Sequence, residues 1–256
     1  MNINELLNIC YEIAPLDCVW SRDNVGLLVD REGEINLALV TLDISMDVIN
    51  EAKELGAQVI ISHHPVIFEP LKNVIYSTHT GRRVIELIKN NIACICLHTN
   101  YDGAVNGIAD ELARLAGIAE PKMLINHDGD YGRYGTLETP MELKSYAGKI
   151  KRTLNGAAVK AYDAGKPVHK VCVGPGGSAG ILPYVLEAGC DTFVVGEAKH
   201  NVFCEARDMG LNLIDAGHFA TEDIMCGLLI KELSVHAPKL KVIKAANSLM
   251  PYYEVL

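Results

Sequence analysis

The chemically capable residues of this chain are histidines with carboxylates set at short spacings from them. His63 and His64 are adjacent and precede Pro65; His98 and Asp102 are four apart, as are His218 and Glu222, and Glu197 lies three before His200. Imidazole and carboxylate together suit zinc, iron, manganese or nickel, and fit magnesium or calcium poorly. No cysteine falls among these residues, which argues against a closed structural zinc site. Two divalent ions about 3.5–4 Å apart, sharing a carboxylate, lower the pKa of a water and polarise the bond it attacks. Asp102 and Glu222 are the natural bridges.

Such groups act together only if the fold brings them together. Short β-branched runs alternate with helix-length segments, which implies parallel strands joined by crossover helices. Strands are expected at 37–42, 58–62, 92–97, 168–174, 191–195 and 211–214, with helices at 45–55, 82–91 and 108–115. In parallel α/β sheets, functional groups collect beyond the carboxyl ends of the strands. His63, His64, His98, Asp102, Glu197, His200, His218 and Glu222 all follow predicted strands; His127, His169 and His236 have no such context. Residues four apart on a helix share a face, so His218 and Glu222 can serve one ion or neighbouring ions. Adjacent residues diverge on a strand. Pro65 therefore matters, because it ends the strand and lets His63 and His64 both turn inward from a loop.

The pattern occurs twice. Gly56 to His64 can be laid beside Gly189 to His200, and His98–Asp102 beside His218–Glu222. The expectation is an α/β protein of two related units from an internal duplication, with the metal site at strand carboxyl ends between them. The first unit is expected over residues 1–125, with 240–256 docking back onto it, and the second over 126–239.

Two further features bear on substrate. The run from Gly174 to Gly180, which includes Gly176 and Gly177, follows a strand and precedes a helix expected over 181–188. Backbone N–H groups in such a loop can cradle an anion. Its spacing matches neither the Walker pattern nor the dinucleotide fingerprint, and a tight turn that needs glycine explains it equally well. Arg133 is a second candidate phosphate contact. Asn24–Gly26 reads as a turn.

Composition narrows the setting. A formal charge of −9 over 256 residues weighs against broad nucleic-acid binding; Lys144, Lys149, Lys151 and Arg152 read as a solvated helix face. Apolar runs are too short to span a bilayer as helices, and the first residues lack a signal-peptide pattern, so the expected location is the cytoplasm. The eight cysteines form no C-x-x-C pair and read as reduced core residues.

Trp20–Leu28, Thr41–Asp43, Ser62–Pro65, His98–Asp102, Tyr131–Gly135, Val173–Gly180 and His218–Glu222 together resemble the Nif-three-like family of dinuclear-metal-centre proteins, catalogued as GTP cyclohydrolase 1 type 2 homologues. The similarity runs nearly end to end, in the short form without an inserted domain. It departs at Leu28 and Asp30, where related proteins often carry Gln and Gly. The resemblance implies the Nif-three-like fold, a two-ion ligand set of His63, His64, Asp102, His218 and Glu222, and a homohexameric toroid with metal sites facing its cavity. It also implies a hydrolase: water adds at guanine C8 of a nucleotide substrate and formate leaves. His98, outside that ligand set, would be the general acid/base, with Arg133, Gly176 and Gly177 on the triphosphate. The alternative is a non-enzymatic metal-binding scaffold, metal-insertion or regulatory protein.

Overall fold

A computed structural model describes residues 1–124, 132–156 and 158–252, so His127 and Tyr131 lie outside the described residues. Its strands, in chain order, are β1 (Gly26–Val29), β2 (Leu37–Thr41), β3 (Val59–Ser62), β4 (Ala93–Cys96), β5 (Ala119–Leu124), β6 (Gly132–Met141), β7 (Lys160–Tyr162), β8 (Val168–Gly174), β9 (Thr192–Val195), β10 (Asn212–Asp215) and β11 (Lys241–Lys244). Its α-helices are α1 (Ile3–Ile13), α2 (Met46–Leu55), α3 (His79–Lys89), α4 (Thr99–Gly103), α5 (Ile108–Ala116), α6 (Leu143–Thr153), α7 (Leu182–Glu187), α8 (His200–Met209), α9 (His218–Glu222) and α10 (Ile224–His236). Among the described residues no helix is long and apolar enough to cross a membrane.

The chain forms two compact α/β units, one of residues 1–101 and 225–249, the other of 102–224 and 250–256. The contact-based division thus falls at Tyr101/Asp102, earlier than the boundary expected at residue 125. The reason is the apolar face of α5: Leu112, Ala113 and Ala116 bury themselves with Tyr146, Val171 and Val173 of the second unit.

In the first unit the sheet order is β1-β4-β3-β2-β11. Strands β11, β2, β3 and β4 are parallel, and β1 is antiparallel to β4. Both β3 and β4 are buried along their whole length, which is why they read as continuous apolar runs rather than alternations. Helix α2 crosses between β2 and β3: Ser45 accepts the Val48 N–H at its start, and Gly56 ends it in the left-handed region at φ +68°. Its Val48, Ile49 and Ala52 pack with Leu39, Ile60 and Cys94 from the sheet and Val84 and Leu87 from α3. Thr41, Ser62 and Cys96 share one register row, so the residues that follow them emerge along one sheet edge.

In the second unit the order is β5-β6-β8-β9-β10-β7, with β8, β9 and β10 parallel and the outer strands antiparallel to their neighbours. Alternate residues of the parallel strands face opposite cores. Val171, Val173, Val194 and Ile214 meet Leu112, Tyr146 and Ile150, while Cys172, Phe193, Val195 and Leu213 meet Val185 and Ala206. Each large apolar side chain so buried contributes about 1.5–3 kcal/mol. Gly174, Val195 and Asp215 form a register row, so Gly176 and Glu197 in loops and His218 at the start of α9 follow strands that end at one edge.

Candidate metal centre

In the first unit, His63 and His64 leave β3 and His98 leaves β4. Ser62 Oγ donates to the His64 carbonyl at 2.9 Å and Cys96 Sγ to the His63 carbonyl at 3.0 Å, which pins the loop ahead of Pro65. The two adjacent rings then fall 5.1 Å apart, and His98 lies 5.0 Å from His63 and 5.6 Å from His64 between centroids. One nitrogen from each of the three rings fits within a 4.8 Å group, as metal ligands must. The structure thus adds His98 to the imidazole cluster, where the resemblance had left it outside the ligand set.

Each of these rings is held from behind. His63 Nδ1 donates to the Leu97 carbonyl at 2.9 Å, His64 Nδ1 bonds Asp43 at 2.8 Å, and His98 Nδ1 bonds Asp23 at 2.7 Å. A carbonyl only accepts, so the neutral His63 ring carries its proton on Nδ1 and its lone pair on Nε2. Carboxylates set the same tautomer in the other two, an arrangement found behind most metal-bound histidines. Asp23 presents no side-chain surface to solvent. Burial alone would raise its carboxyl; the His98 hydrogen bond and charge, with two hydrogen bonds from Thr99, outweigh that and hold it at about 2. Asp43 follows β2 at the same sheet edge, a placement that could have marked it from sequence. Asp23 lies in a loop 75 residues from His98, and no spacing rule links them.

In the second unit, α9 puts His218 Nε2 2.9 Å from Glu222 Oε2, the i, i+4 pairing expected of a helical ligand pair. His218 Nδ1 bonds Glu197 Oε2 at 3.0 Å, so the fourth imidazole is oriented by an oxygen acceptor like the other three. Glu222 is 3% exposed and Asp102 7%, and a carboxylate oxygen of each lies within 4.8 Å of the other. Buried carboxylates this close repel one another, and a shared cation relieves that cost. Among the described residues His200 joins no such ligand group; it opens α8 with its ring 3.6 Å from Cys204 Sγ.

The glycine loop serves packing. Gly176 adopts φ +47°, and a Cβ there would overlap Glu222 Oε1 and come 3.1 Å from His218 Nε2. Its N–H donates to Thr221 Oγ1 at 3.1 Å and its carbonyl accepts from Glu197 N at 2.9 Å. Gly176 therefore has no amide hydrogen left for a phosphate; Gly177 is exposed. Arg133 does not match the expected phosphate contact either. Its side chain is 2% exposed, its Nε pairs with Asp110, and its remaining nitrogens donate to the carbonyls of Gly103, Ala104 and Gly132. A guanidinium so enclosed and so fully partnered braces the second unit.

Comparison with known proteins agrees with this fold. The family model described as Duf34/NIF3 (NGG1p interacting factor 3) matches residues 1–250. A Clostridium perfringens protein named GTP cyclohydrolase 1 type 2 homolog is 33% identical over 228 residues, covering 87% of each chain. A Methanocaldococcus jannaschii protein of the same name is 31% identical over 233 residues, covering 87% of this chain and 90% of its own. Among solved structures, a Staphylococcus aureus protein aligns at TM-score 0.91 with 24% identity, covering 100% of this chain and 99% of its own. Reduced HcgD from Methanocaldococcus jannaschii aligns at 0.84 with 27% identity, covering 96% and 98%.

Proposed function

The chain belongs to the Duf34/NIF3 family, and on that premise we propose that it is a metal-dependent hydrolase that opens the base of a guanine nucleotide. His63, His64, Asp102, His218 and Glu222 would hold two divalent transition-metal ions, drawn from zinc, iron, manganese or nickel. The observation that carries this reading is the shared orientation of the imidazoles: His63, His64, His98 and His218 each place Nδ1 on an oxygen acceptor. Bound ions supply Lewis acidity and a water that ionises near neutral pH.

The chain's own residues do the rest. His98, backed by the buried Asp23, takes the proton released as water adds at guanine C8 and returns it to the departing ring nitrogen, leaving a formamide that a second water hydrolyses to the amine and formate. Asp23 stays ionised and holds the imidazole in one tautomer, as the carboxylate of a hydrolase triad does. The bare backbone at Gly177 leaves the approach to His218 open for substrate, while Gly176 keeps the loop against Glu222. By the same family membership the chain assembles as a homohexameric ring, and light scattering reporting a monomer would overturn that. The two units descend from an internal duplication: each has three consecutive parallel strands, with an earlier antiparallel strand beside the third.

Elemental analysis of protein saturated with manganese or zinc tests the centre. Two ions per chain are expected, and Asp102→Ala or Glu222→Ala should lose both rather than one. The reaction is tested by formate release from GTP. Two-ion occupancy without formate under any of the four metals would refute the hydrolase and favour a non-enzymatic metal-binding role.

A further inference from the structure

Beside His218, within the second unit, lies a cavity of about 290 Å³. It is lined by Lys160, Glu197, Asp215, His218 and Tyr252, with Ala158, Gly196 and Gly217 contributing little bulk. We propose that this cavity takes a planar heterocycle bearing N–H donors, the purine-type ring of the substrate. The proposal rests on the hydrolase reading, since His218 is both a ligand of the centre and a wall of the cavity.

Size is the first constraint. Ligand pockets usually measure about 300–1,000 Å³, so this one holds a ring system rather than a whole nucleoside triphosphate. Its lining supplies the second. Tyr252 is 52% exposed, which leaves its ring available for stacking. Stacking on an aromatic side chain is open to any base, because every base has a π-face.

The polar groups choose among flat ligands. Glu197 Oε2 accepts from His218 Nδ1 at 3.0 Å, and among the described residues no hydrogen bond is made to its second oxygen. An ionised carboxylate only accepts, so its partner on a ligand must be an N–H or O–H. Asp215 is already occupied: it accepts from Gly217 N at 3.2 Å, Ala198 N at 3.4 Å and Lys160 Nζ at 3.3 Å. It braces the cavity and holds Lys160 at the lining. One acceptor, one ammonium and one aromatic ring suit a flat amphoteric ligand better than a bare anion. A guanine edge, with its ring N–H and amino group, meets the carboxylate; an adenine edge offers an acceptor nitrogen where guanine offers N–H.

Isothermal titration of the full chain with guanosine tests this, because guanosine carries the ring without phosphates. Guanosine should bind, Tyr252→Ala should weaken it about tenfold or more, and Tyr252→Phe should stay within about threefold, with thermal midpoints unchanged. Adenosine should bind several-fold more weakly. Absent guanosine binding, or equal binding by wild type and Tyr252→Ala, overturns the cavity assignment, and equal binding of adenosine overturns the role given to Glu197. Formate release separates the two proposals. Guanosine binding that depends on Tyr252, without formate from GTP, sinks the reaction and keeps the cavity; formate release indifferent to Tyr252→Ala does the reverse.

Discussion

Gly176 and Glu222 approach so closely that no side chain fits between them: a Cβ on Gly176 would overlap Oε1 of the glutamate. The glycine also sits at φ +47°, where an L-residue is strained. Gly176→Ala should therefore displace Glu222 and His218 together, at a cost of about 1–3 kcal/mol from overpacking and strain. Its metal content should fall below that of the wild type while the circular dichroism spectrum stays native. A variant that binds metal as tightly as the wild type would contradict the packing role.

Asp23 makes two separable predictions. As the group that orients His98, it should matter to turnover: Asp23→Asn and His98→Ala should each slow formate release by about 10²-fold or more while keeping both ions. Loss of an ion from His98→Ala would instead make His98 a ligand, as its distances to His63 and His64 allow.

The same carboxyl predicts an acid-stability effect. Folded, it stays ionised until the pH nears 2, whereas in the unfolded chain it takes up a proton near 3.9. Between those values the unfolded state binds more protons, so stability is complete above about pH 4 and falls as pH drops toward 2. Asp23→Asn should lose less stability over that window. Urea midpoints measured from pH 5 to 2.5 decide it, and parallel losses in both proteins would refute the assignment.

Arg133 should report on folding instead of binding. Asp110→Ala leaves the buried guanidinium without its carboxylate and should cost roughly 2–4 kcal/mol, somewhat below a fully buried pair because Asp110 is 25% exposed. At temperatures where the variant is folded, KM for GTP should be unchanged. An unaltered unfolding midpoint with a raised KM would restore the phosphate-contact reading.

The thiols divide by burial. Cys18 and Cys204 are partly exposed and the other six cysteines are buried; burial pushes Cys10 and Cys94 up to about 12 and Cys190 up to about 11. A thiol held protonated does not alkylate. Iodoacetamide at pH 8 should therefore label Cys18 and Cys204 in the native protein, and all eight only after denaturation. Rapid native labelling of Cys10 or Cys94 would contradict their burial.

What could be read in the chain was whatever its local pattern encodes. The strands β2, β3, β4, β8, β9 and β10 are short apolar runs ended by polar residues, and each falls within two residues of expectation. Strand β1 read as a turn because Gly26, at φ +94°, looks like a loop residue, yet it pairs with Cys96. Strand β5 is largely exposed, β6 mixes buried and exposed residues without a period, and the register of both is irregular, so neither alternation nor a continuous run marks them. The ligand candidates were legible from their place after strands. The enclosure of Arg133 has no local mark, because a lone arginine near glycines has the same signature whether it faces solvent or a partly buried aspartate. Asp23 was unreadable, since the contact that defines it spans the chain from a loop to a sheet edge.

Strand β11 carries a consequence for synthesis. It closes the first sheet against β2 after the chain has built everything from Asp102 to Ile224 elsewhere. A nascent chain leaving the ribosome therefore exposes the β2 edge throughout translation of the second unit, with Leu39 and Val40 on an unsatisfied strand. The second unit draws most of its residues from one run, 102–224, and can fold first, whereas its host must wait until β11 has been made. Stop codons placed just before residue 240 should thus yield a product whose second half resists protease and whose first half aggregates along that open edge.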